Sequence, residues 1–226
     1  VTATITVSGA TGETLALESG SIGGFTLSNL SKTSDTEYTA KFTVTEGGTD
    51  VVAGDDIPVS IQLADPAGNT SNTFSTPISQ SADAIDANSP TVASVSVADG
   101  TYGVGDTVEV TITATNNETG LTLSALQFNG QTLTNVTDEN DGTYTATYTV
   151  VEGDSDVADG GDVTTDLAFT DSAGNVGAST TSVTLAGESI DATSPVITAV
   201  SISDTAMAVD DEVTATITVS GATGET

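Results

Sequence analysis

The sequence repeats itself, and this self-similarity limits the possible folds more than any other feature. The residues Val1–Thr14 recur without change as Val213–Thr226, an offset of 212 positions. A weaker repeat lies inside that unit: YTAKFTV, which starts at Tyr38, matches YTATYTV, which starts at Tyr144, an offset of 106. Self-similarity at a fixed period indicates tandem modules. We therefore interpret the chain as modules of about 105 residues, arranged in pairs of 212.

The positions of the repeats predict where modules begin and end. IDANSP starts at Ile85 and IDATSP at Ile190, and each marks the end of one module. We predict a first module over residues 1–88 that lacks its first strand and a complete module over residues 89–193. Residues 194–226 are predicted to supply the first two strands of a third module. We interpret the sequence as a window on a longer array of nearly identical units.

Apolar and polar residues alternate with period two, as in half-buried strands. Tyr144, Ala146 and Tyr148 fall on one face of a predicted strand, and threonines take the other. No segment has helical period. In the complete module we predict these strands: Thr91–Ala98, Val108–Ala114, Leu121–Phe128, Gln131–Val136, Thr143–Val151, Val163–Thr170 and Ala178–Leu185. Several short strands in about 100 residues indicate an all-β sandwich of immunoglobulin type. Since the chain has no cysteine or tryptophan, aliphatic and tyrosine packing must join its sheets.

The charge of the chain excludes several functions. There are 32 acidic and two basic side chains, with no histidine or cysteine, for a formal charge of −30. Nucleic-acid binding needs cationic side chains for the phosphates, and an anionic membrane surface would repel this chain. No apolar run is long enough to span a membrane. Thiol and Ser-His nucleophiles and tetrahedral zinc sites are excluded as well. We predict that the chain is not an enzyme.

Several segments resemble bacterial immunoglobulin-like tandem repeats of large repetitive surface adhesins, including the biofilm-associated and RTX types. The likeness rests on motifs such as YTATYTVVEGDSD (Tyr144–Asp156), DSAGN (Asp171–Asn175) and IDATSP (Ile190–Pro195), and it extends over both modules. This resemblance implies an extracellular, cell-surface location and a role as stalk modules that extend an adhesin. It also implies that calcium often stiffens such modules.

Acidic residues are predicted to gather where modules meet. If strands alternate in direction, the loop after each YTA strand and the following linker lie at the same end of a module. Calcium takes six to eight oxygen ligands from carboxylates, amides and carbonyls, and only two lysines are available as counter-charge. We therefore predict calcium sites at the junctions, with these ligands: Glu46, Asp50, Asp86, Asp171, Asn175, Glu152, Asp156 and Asp191.

A simpler interpretation of these acids is turn formation, because Asp and Asn bend the chain and Gly supplies positive φ. For most single loop acids turn formation is the better interpretation, whereas for Asp86 and Asp191 we favour the role of ligand. Asp138, Glu139 and Asp141 are interpreted as a solvated hairpin turn.

The expected function is that of structural extender modules whose partners are neighbouring modules and calcium ions. One alternative is a ligand-binding adhesin for sugar or ice, based on the outward row Thr143, Thr145, Thr147 and Thr149. Threonine is also simply a good strand residue, which we favour. Another alternative is a homopolymeric fibre completed head to tail by strand donation. Val213–Thr226 duplicates a strand that the receiving module already has, and this favours a continuous array.

Overall fold

The computed structural model describes residues 1–9, 12–79, 84–203 and 205–221. The chain forms two compact units: Val1–Ser89 with Ala173–Asn175, and Pro90–Ser172 with Val176–Thr226. Apart from the 3₁₀ turn Thr115–Asn117, the regular structure of the described residues is all β-strand. The all-β prediction is therefore confirmed. Residues 222–226 of the predicted third module lie outside the described part, and the predicted module boundaries stay predictions.

The first unit consists of two small antiparallel sheets. Its described strands are β1 (Thr2–Thr6), β2 (Ala16–Ile22), β3 (Phe25–Thr26), β4 (Ser28–Lys32), β5 (Glu37–Lys41) and β6 (Val59–Ala64). One sheet has the order β1-β5-β4 and the other β3-β2-β6. Ile22 and Ile61 from one sheet share a buried core with Ala40 from the other. The period-two pattern explains this packing, since every second residue of a strand faces the same side.

The second unit contains a sandwich with larger sheets. Its described strands are β7 (Val92–Val97), β8 (Gly100–Gly103), β9 (Thr107–Ala114), β10 (Thr122–Phe128), β11 (Gln131–Thr132), β12 (Thr134–Asp138), β13 (Thr143–Thr149), β14 (Asp162–Thr170), β15 (Thr180–Thr184), β16 (Glu188–Asp191), β17 (Val196–Ile202) and β18 (Ala215–Ser220). The two main sheets have the orders β12-β13-β9-β7 and β11-β10-β14-β15, and β16 pairs with β8 in parallel. This arrangement is an immunoglobulin-like sandwich.

The core of the second unit lies between its main sheets. Val110 and Ile112 of β9 and Tyr144 of β13 are at most 1% exposed, as are Leu167 and Phe169 of β14. The ring of Tyr144 packs against the ring of Phe169 with centroids 4.8 Å apart. Tyrosine and aliphatic side chains thus join the sheets, as the absence of cysteine and tryptophan predicts.

Two strands of the second unit were not predicted from the sequence. β8 is rich in glycine and β16 overlaps the linker motif, so neither shows an extended apolar alternation. The two strands form by pairing with each other, because the backbone of Glu188–Asp191 pairs in parallel with that of Gly100–Gly103. The predicted strand Gln131–Val136 is two strands, because β11 pairs with β10 in one sheet and β12 pairs with β13 in the other. Leu133 lies between β11 and β12, where the chain passes from one sheet to the other, and its side chain is buried, with 3% exposed.

Candidate functional site: the linkers and their carboxylates

Two acidic side chains of the first unit bind the linker that follows its sandwich. The Asp50 Oδ1 atom accepts a hydrogen bond from the Ala87 backbone N at 2.8 Å, and both Asp50 oxygens accept from Asn88 Nδ2 at 2.9 Å. The Glu46 carboxylate accepts from the Ser89 backbone N at 3.1 and 3.2 Å and from Ser89 Oγ at 2.7 Å. Consecutive residues of the linker are therefore tied to one loop.

The second unit repeats these contacts at the equivalent positions. Asp156 Oδ1 accepts from the Ala192 backbone N at 2.7 Å, and the Asp156 oxygens lie 3.4 and 3.3 Å from Thr193 Oγ1. Both Glu152 oxygens accept from the Ser194 backbone N at 3.2 Å. We call this arrangement the linker clamp: Glu46 and Asp50 with residues 86–89 in the first unit, and Glu152 and Asp156 with residues 191–194 in the second.

Buried residues anchor each linker between its polar contacts. Ile85 and Ala87 are 7% and 3% exposed, and Ile190 and Ala192 are 3% and 0% exposed. The backbone of Ile85 exchanges hydrogen bonds of 2.8 and 2.9 Å with Val51. Ile190 makes the same exchange with Val157, with both bonds at 2.8 Å. The linker motif thus reads as a short strand in which Ile and Ala face the core while Asp lies between them.

The predicted ligands Asp86 and Asp191 have local partners in the structure. Asp86 Oδ1 accepts from the Asn88 backbone N at 3.2 Å, and Asp191 Oδ1 accepts from the Thr193 backbone N at 3.0 Å. This bond from a side chain to the backbone two residues on is the turn-forming contact of Asp. Both acids therefore form turns within their linkers, and their role as metal ligands stays a prediction.

The predicted ligands Asp171 and Asn175 fall in different units. Asp171 directly follows β14 in the second unit, whereas Asn175 is counted in the first, where its Nδ2 lies 3.4 Å from the Asp86 carbonyl oxygen.

The loop Asp65–Asn69 of the first unit, which matches Asp171–Asn175 in sequence, shows how this motif bends. Asp65 accepts from the Ala67 and Asn69 backbone N atoms at 2.9 and 2.8 Å and from Asn69 Nδ2 at 2.8 Å. The Asn69 side chain is the main cause of the lowered pKa of Asp65.

Within residues 1–9, 12–79, 84–203 and 205–221, no group of three or more acidic side chains is placed to hold a metal ion. Two of the predicted calcium ligands instead bind each linker, Glu46 and Asp50 in the first unit and Glu152 and Asp156 in the second. The ligating atoms of these side chains are carboxylate oxygens, the type of ligand that calcium prefers. The part of the chain that the structure describes has no helix long and apolar enough to cross a membrane.

A polar network beside the second clamp was not predicted from the sequence. Tyr148 Oη donates to Asp154 Oδ2 at 2.6 Å and accepts from Asn129 Nδ2 at 3.1 Å. Asp154 also accepts from Gln131 Nε2 at 2.6 Å and from the Val151 backbone N at 2.9 Å. Burial raises the pKa of Tyr148, and the bond to Asp154 raises it further. Burial also raises the pKa of Asp154, but these three hydrogen bonds outweigh it and the net pKa is lowered.

The first unit replaces this polar network by an apolar contact. At the positions equivalent to Gln131 and Tyr148 it has Phe25 and Phe42, whose rings stack with centroids 6.2 Å apart. Gly48 takes the position of Asp154. A Cβ atom on Gly48 would lie 2.4 Å from Phe25 Cζ, so the stack requires glycine there. The two modules therefore differ at coupled positions, which only the three-dimensional packing reveals.

Comparisons with known proteins agree with the sandwich of the second unit. The family model of the bacterial Ig-like domain matches residues 86–186. A solved structure of FdeC, described as a novel, broadly conserved Escherichia coli adhesin, is 18% identical over 93% of this chain and 64% of that chain, with a TM-score of 0.32. A TM-score this low gives no support for a shared arrangement or role. The search of curated proteins found no match. Residues 86–186 are thus similar in sequence to the bacterial Ig-like domain.

Proposed function

We propose that the chain forms extender modules in the stalk of a bacterial cell-surface adhesin, outside the cell. The observation that carries this proposal is the linker clamp, which recurs with the same residue types in both units. In each unit an Asp binds the backbone N of the linker Ala, and a Glu binds the backbone N of the linker Ser. Repetition of a structural contact along a chain suits a scaffold better than a catalytic site.

The clamp suits a stalk because it ties the linker to the module that precedes it. A free linker of a few residues would retain conformational entropy of about 1–2 kcal/mol per residue. Buried Ile and Ala positions and hydrogen bonds to Asp and Glu remove much of that freedom from residues 85–89 and 190–194. A following module would then start from a fixed point.

Calcium binding at the linkers is part of this proposal. A carboxylate has about four lone-pair sites, and the bonds from Ser194 and Ala192 leave some of those on Glu152 and Asp156 for an ion. The same holds for Glu46 and Asp50, and the predicted ligands Asp86 and Asp191 lie in the same linkers. A divalent cation would also reduce the repulsion within a chain of charge −30. The ion would add to the stiffness that the hydrogen bonds provide.

Small-angle scattering of the full chain tests the stalk role. The double variant Glu152→Gln/Asp156→Asn weakens one clamp, and Asp138→Asn/Asp141→Asn is the matched control. Within the part of the chain that the structure describes, the control acids accept bonds inside a hairpin turn, from the backbone N atoms of Asn140 and Thr143. We expect a broader distribution of dimensions for the clamp variant than for the control. Equal distributions for both variants and the unchanged chain would contradict the stalk role.

The calcium part is tested separately by thermal unfolding in calcium and in chelator. A ligand that binds only the folded state stabilises it by about 2.7 kcal/mol at a concentration of 100 times its Kd. We expect calcium to raise the Tm of the unchanged chain and of the control, and to raise that of the clamp variant less. A Tm that is the same in calcium and in chelator would reject calcium while leaving the hydrogen-bonded clamp in place.

A further inference from the structure

The loop that carries the second clamp has one side on the linker and one side on the sandwich. We call residues 151–156 the clamp loop. Its contacts to the linker come from three residues: Glu152, Gly153 and Asp156. The residues between them, Asp154 and Ser155, are bonded to the polar network instead. Because the two sides alternate along a short loop, a shift on the network side also moves the linker side.

The polar network anchors the clamp loop to the sandwich. Asn129 uses both hydrogens of its side-chain amide: Nδ2 donates to Tyr148 Oη at 3.1 Å and to the Ser155 carbonyl oxygen at 2.9 Å. Asn129 and Tyr148 are 5% and 1% exposed, so water does not compete for these bonds. Residues 151–153 of the loop are themselves exposed. The position of the loop therefore depends largely on side chains that the sandwich provides.

The first unit holds its equivalent loop with a different set of residues. The polar set of the second unit is Asn129, Gln131, Tyr148 and Asp154, and the equivalent set of the first unit is Gly23, Phe25, Phe42 and Gly48. The backbone contacts of the two loops are nevertheless the same. Gly47 donates its backbone N–H to the Ala87 carbonyl oxygen at 2.8 Å. Gly153 makes the equivalent bond to Ala192 at 2.9 Å. Hydrogen bonds in one unit and packed rings in the other thus accompany the same loop contacts.

The members of the two sets exclude one another. A Cβ atom on Gly48 would lie 2.4 Å from Phe25 Cζ, so an acid at this position overlaps the ring. A Cβ atom on Gly23 would lie 2.5 Å from Ile85 Cδ1, so a side chain such as that of Asn129 would displace the buried isoleucine of the linker. A single exchanged residue is therefore incompatible with the rest of its new set.

We propose that each set positions its loop against the linker, and that the two sets are interchangeable only as wholes. The network side chains that the sandwich provides are thus positioning residues: they act on the linker through Asp154 and Ser155, which lie between the clamp acids. Their importance for a stalk rests on the function proposed above, since the position of the loop decides whether Glu152 and Asp156 reach the linker.

Hydrogen exchange of the full chain tests the positioning role with the variant Tyr148→Phe. The variant removes the hydroxyl that joins Asn129 to Asp154 and keeps the ring, whose centroid lies 5.5 Å from that of Phe128. Loss of a hydrogen bond to a charged group shifts an equilibrium by about tenfold or more. We therefore expect the amide of Ala192 to exchange about tenfold faster, whereas the core amides of β9 and β14 change less.

The matched control is Tyr144→Phe, because it also removes a buried hydroxyl from β13. The partner of that hydroxyl is the Leu121 backbone N, before β10 and outside the clamp loop. The control should speed exchange in the core of the second unit at least as much as at Ala192. The amide of Ala87 in the first unit should be unchanged in both variants. Preferential exchange at Ala192 in neither variant, or equally in both, would overturn the positioning role.

A complete exchange tests whether the two sets are interchangeable. The full variant gives the second unit the set of the first: Asn129→Gly, Gln131→Phe, Tyr148→Phe and Asp154→Gly. The partial variant, Gln131→Phe/Tyr148→Phe, leaves Asp154 beside two rings and removes both side-chain donors to it. We expect the protection of the Ala192 amide to fall in the partial variant and to recover in the full variant. A full variant that protects Ala192 no better than the partial one would contradict the proposal.

Small-angle scattering of the same variants separates this inference from the stalk role. Faster exchange at Ala192 with unchanged dimensions of the chain would refute the stalk role and leave the positioning role in place. Unchanged exchange at Ala192 in Tyr148→Phe would refute the positioning role, whatever the dimensions of the chain.

Discussion

Replacing Tyr144 by phenylalanine would test how the sandwich of the second unit is held together. The Tyr144 hydroxyl accepts a hydrogen bond of 2.9 Å from the Leu121 backbone N. Both residues are buried, with exposures of 1% and 7%. The variant keeps the ring and its packing against Phe169 but leaves the Leu121 N–H without this acceptor. A buried donor that loses its partner costs about 1–3 kcal/mol.

The expected loss can be converted into a change in Tm. A loss of 1 kcal/mol lowers the Tm by about 4–8 °C in a domain of up to about 100 residues. Taking a loss of about 2 kcal/mol, we expect the Tm of the second unit to fall by about 8–16 °C. Because the chain has two units, the assay is thermal unfolding combined with hydrogen exchange of core amides in β9 and β14.

The control is Tyr102→Phe, in the same unit. The Tyr102 hydroxyl donates to the Ala98 carbonyl oxygen at 2.8 Å in an exposed setting. Water replaces that partner in the variant, so the Tm should change little. If Tyr144→Phe costs no more stability than Tyr102→Phe, the hydroxyl of Tyr144 does not help to hold the loop before β10, and the reasoning from burial is refuted.

Three further predictions concern packing and pH. Gly48→Ala should lower the free energy of unfolding of the first unit, measured in urea, because its Cβ would overlap Phe25. The double variant Gly48→Ala/Phe25→Gln should recover part of that loss. If the effects of the two substitutions simply add, the two positions are not coupled. Gly177→Ala should destabilise the second unit by thermal unfolding, because its Cβ would lie 1.9 Å from the Pro90 carbonyl oxygen; an unchanged Tm would disprove that contact. The folded-state pKa of Asp154 is lowered, so its contribution is present above its unfolded pKa and is lost as the pH falls below about 4. Asp154→Asn should therefore reduce the free energy of unfolding at neutral pH and make it fall less steeply as the pH is lowered. The measurement is urea unfolding at several pH values. An equally steep fall at acid pH in the variant would contradict this role of Asp154.

The period-two pattern allowed much of the fold to be predicted from the sequence. Tyr144, Ala146 and Tyr148 face the core as their alternation indicates, because successive side chains of a strand point to opposite faces. The pattern failed where strands are short and lack alternation. β8 and β16 form through backbone pairing with each other, and a backbone bond leaves no mark on side-chain polarity.

The candidate site was predicted in part. The repeated linker motif and the acids of the preceding loop indicated that the two meet, and the structure places Glu152 and Asp156 on residues 192–194. The sequence could not distinguish an acid that binds a backbone N–H from one that binds an ion, because both tasks use the same carboxylate. The local turns of Asp86 and Asp191 became visible only from their distances to the linker backbone.

The sequence by itself determined the repeat period, the all-β class and the acidity, because repeats, alternation and charge are properties of residue order alone. The tertiary structure decided which distant residues act together. The network of Asn129, Tyr148 and Asp154 and the stack of Phe25 on Phe42 occupy equivalent places in the two units, and each joins residues from different strands and loops. Packing across two sheets joins such positions, and the spacing of residues along the sequence does not encode which of them meet.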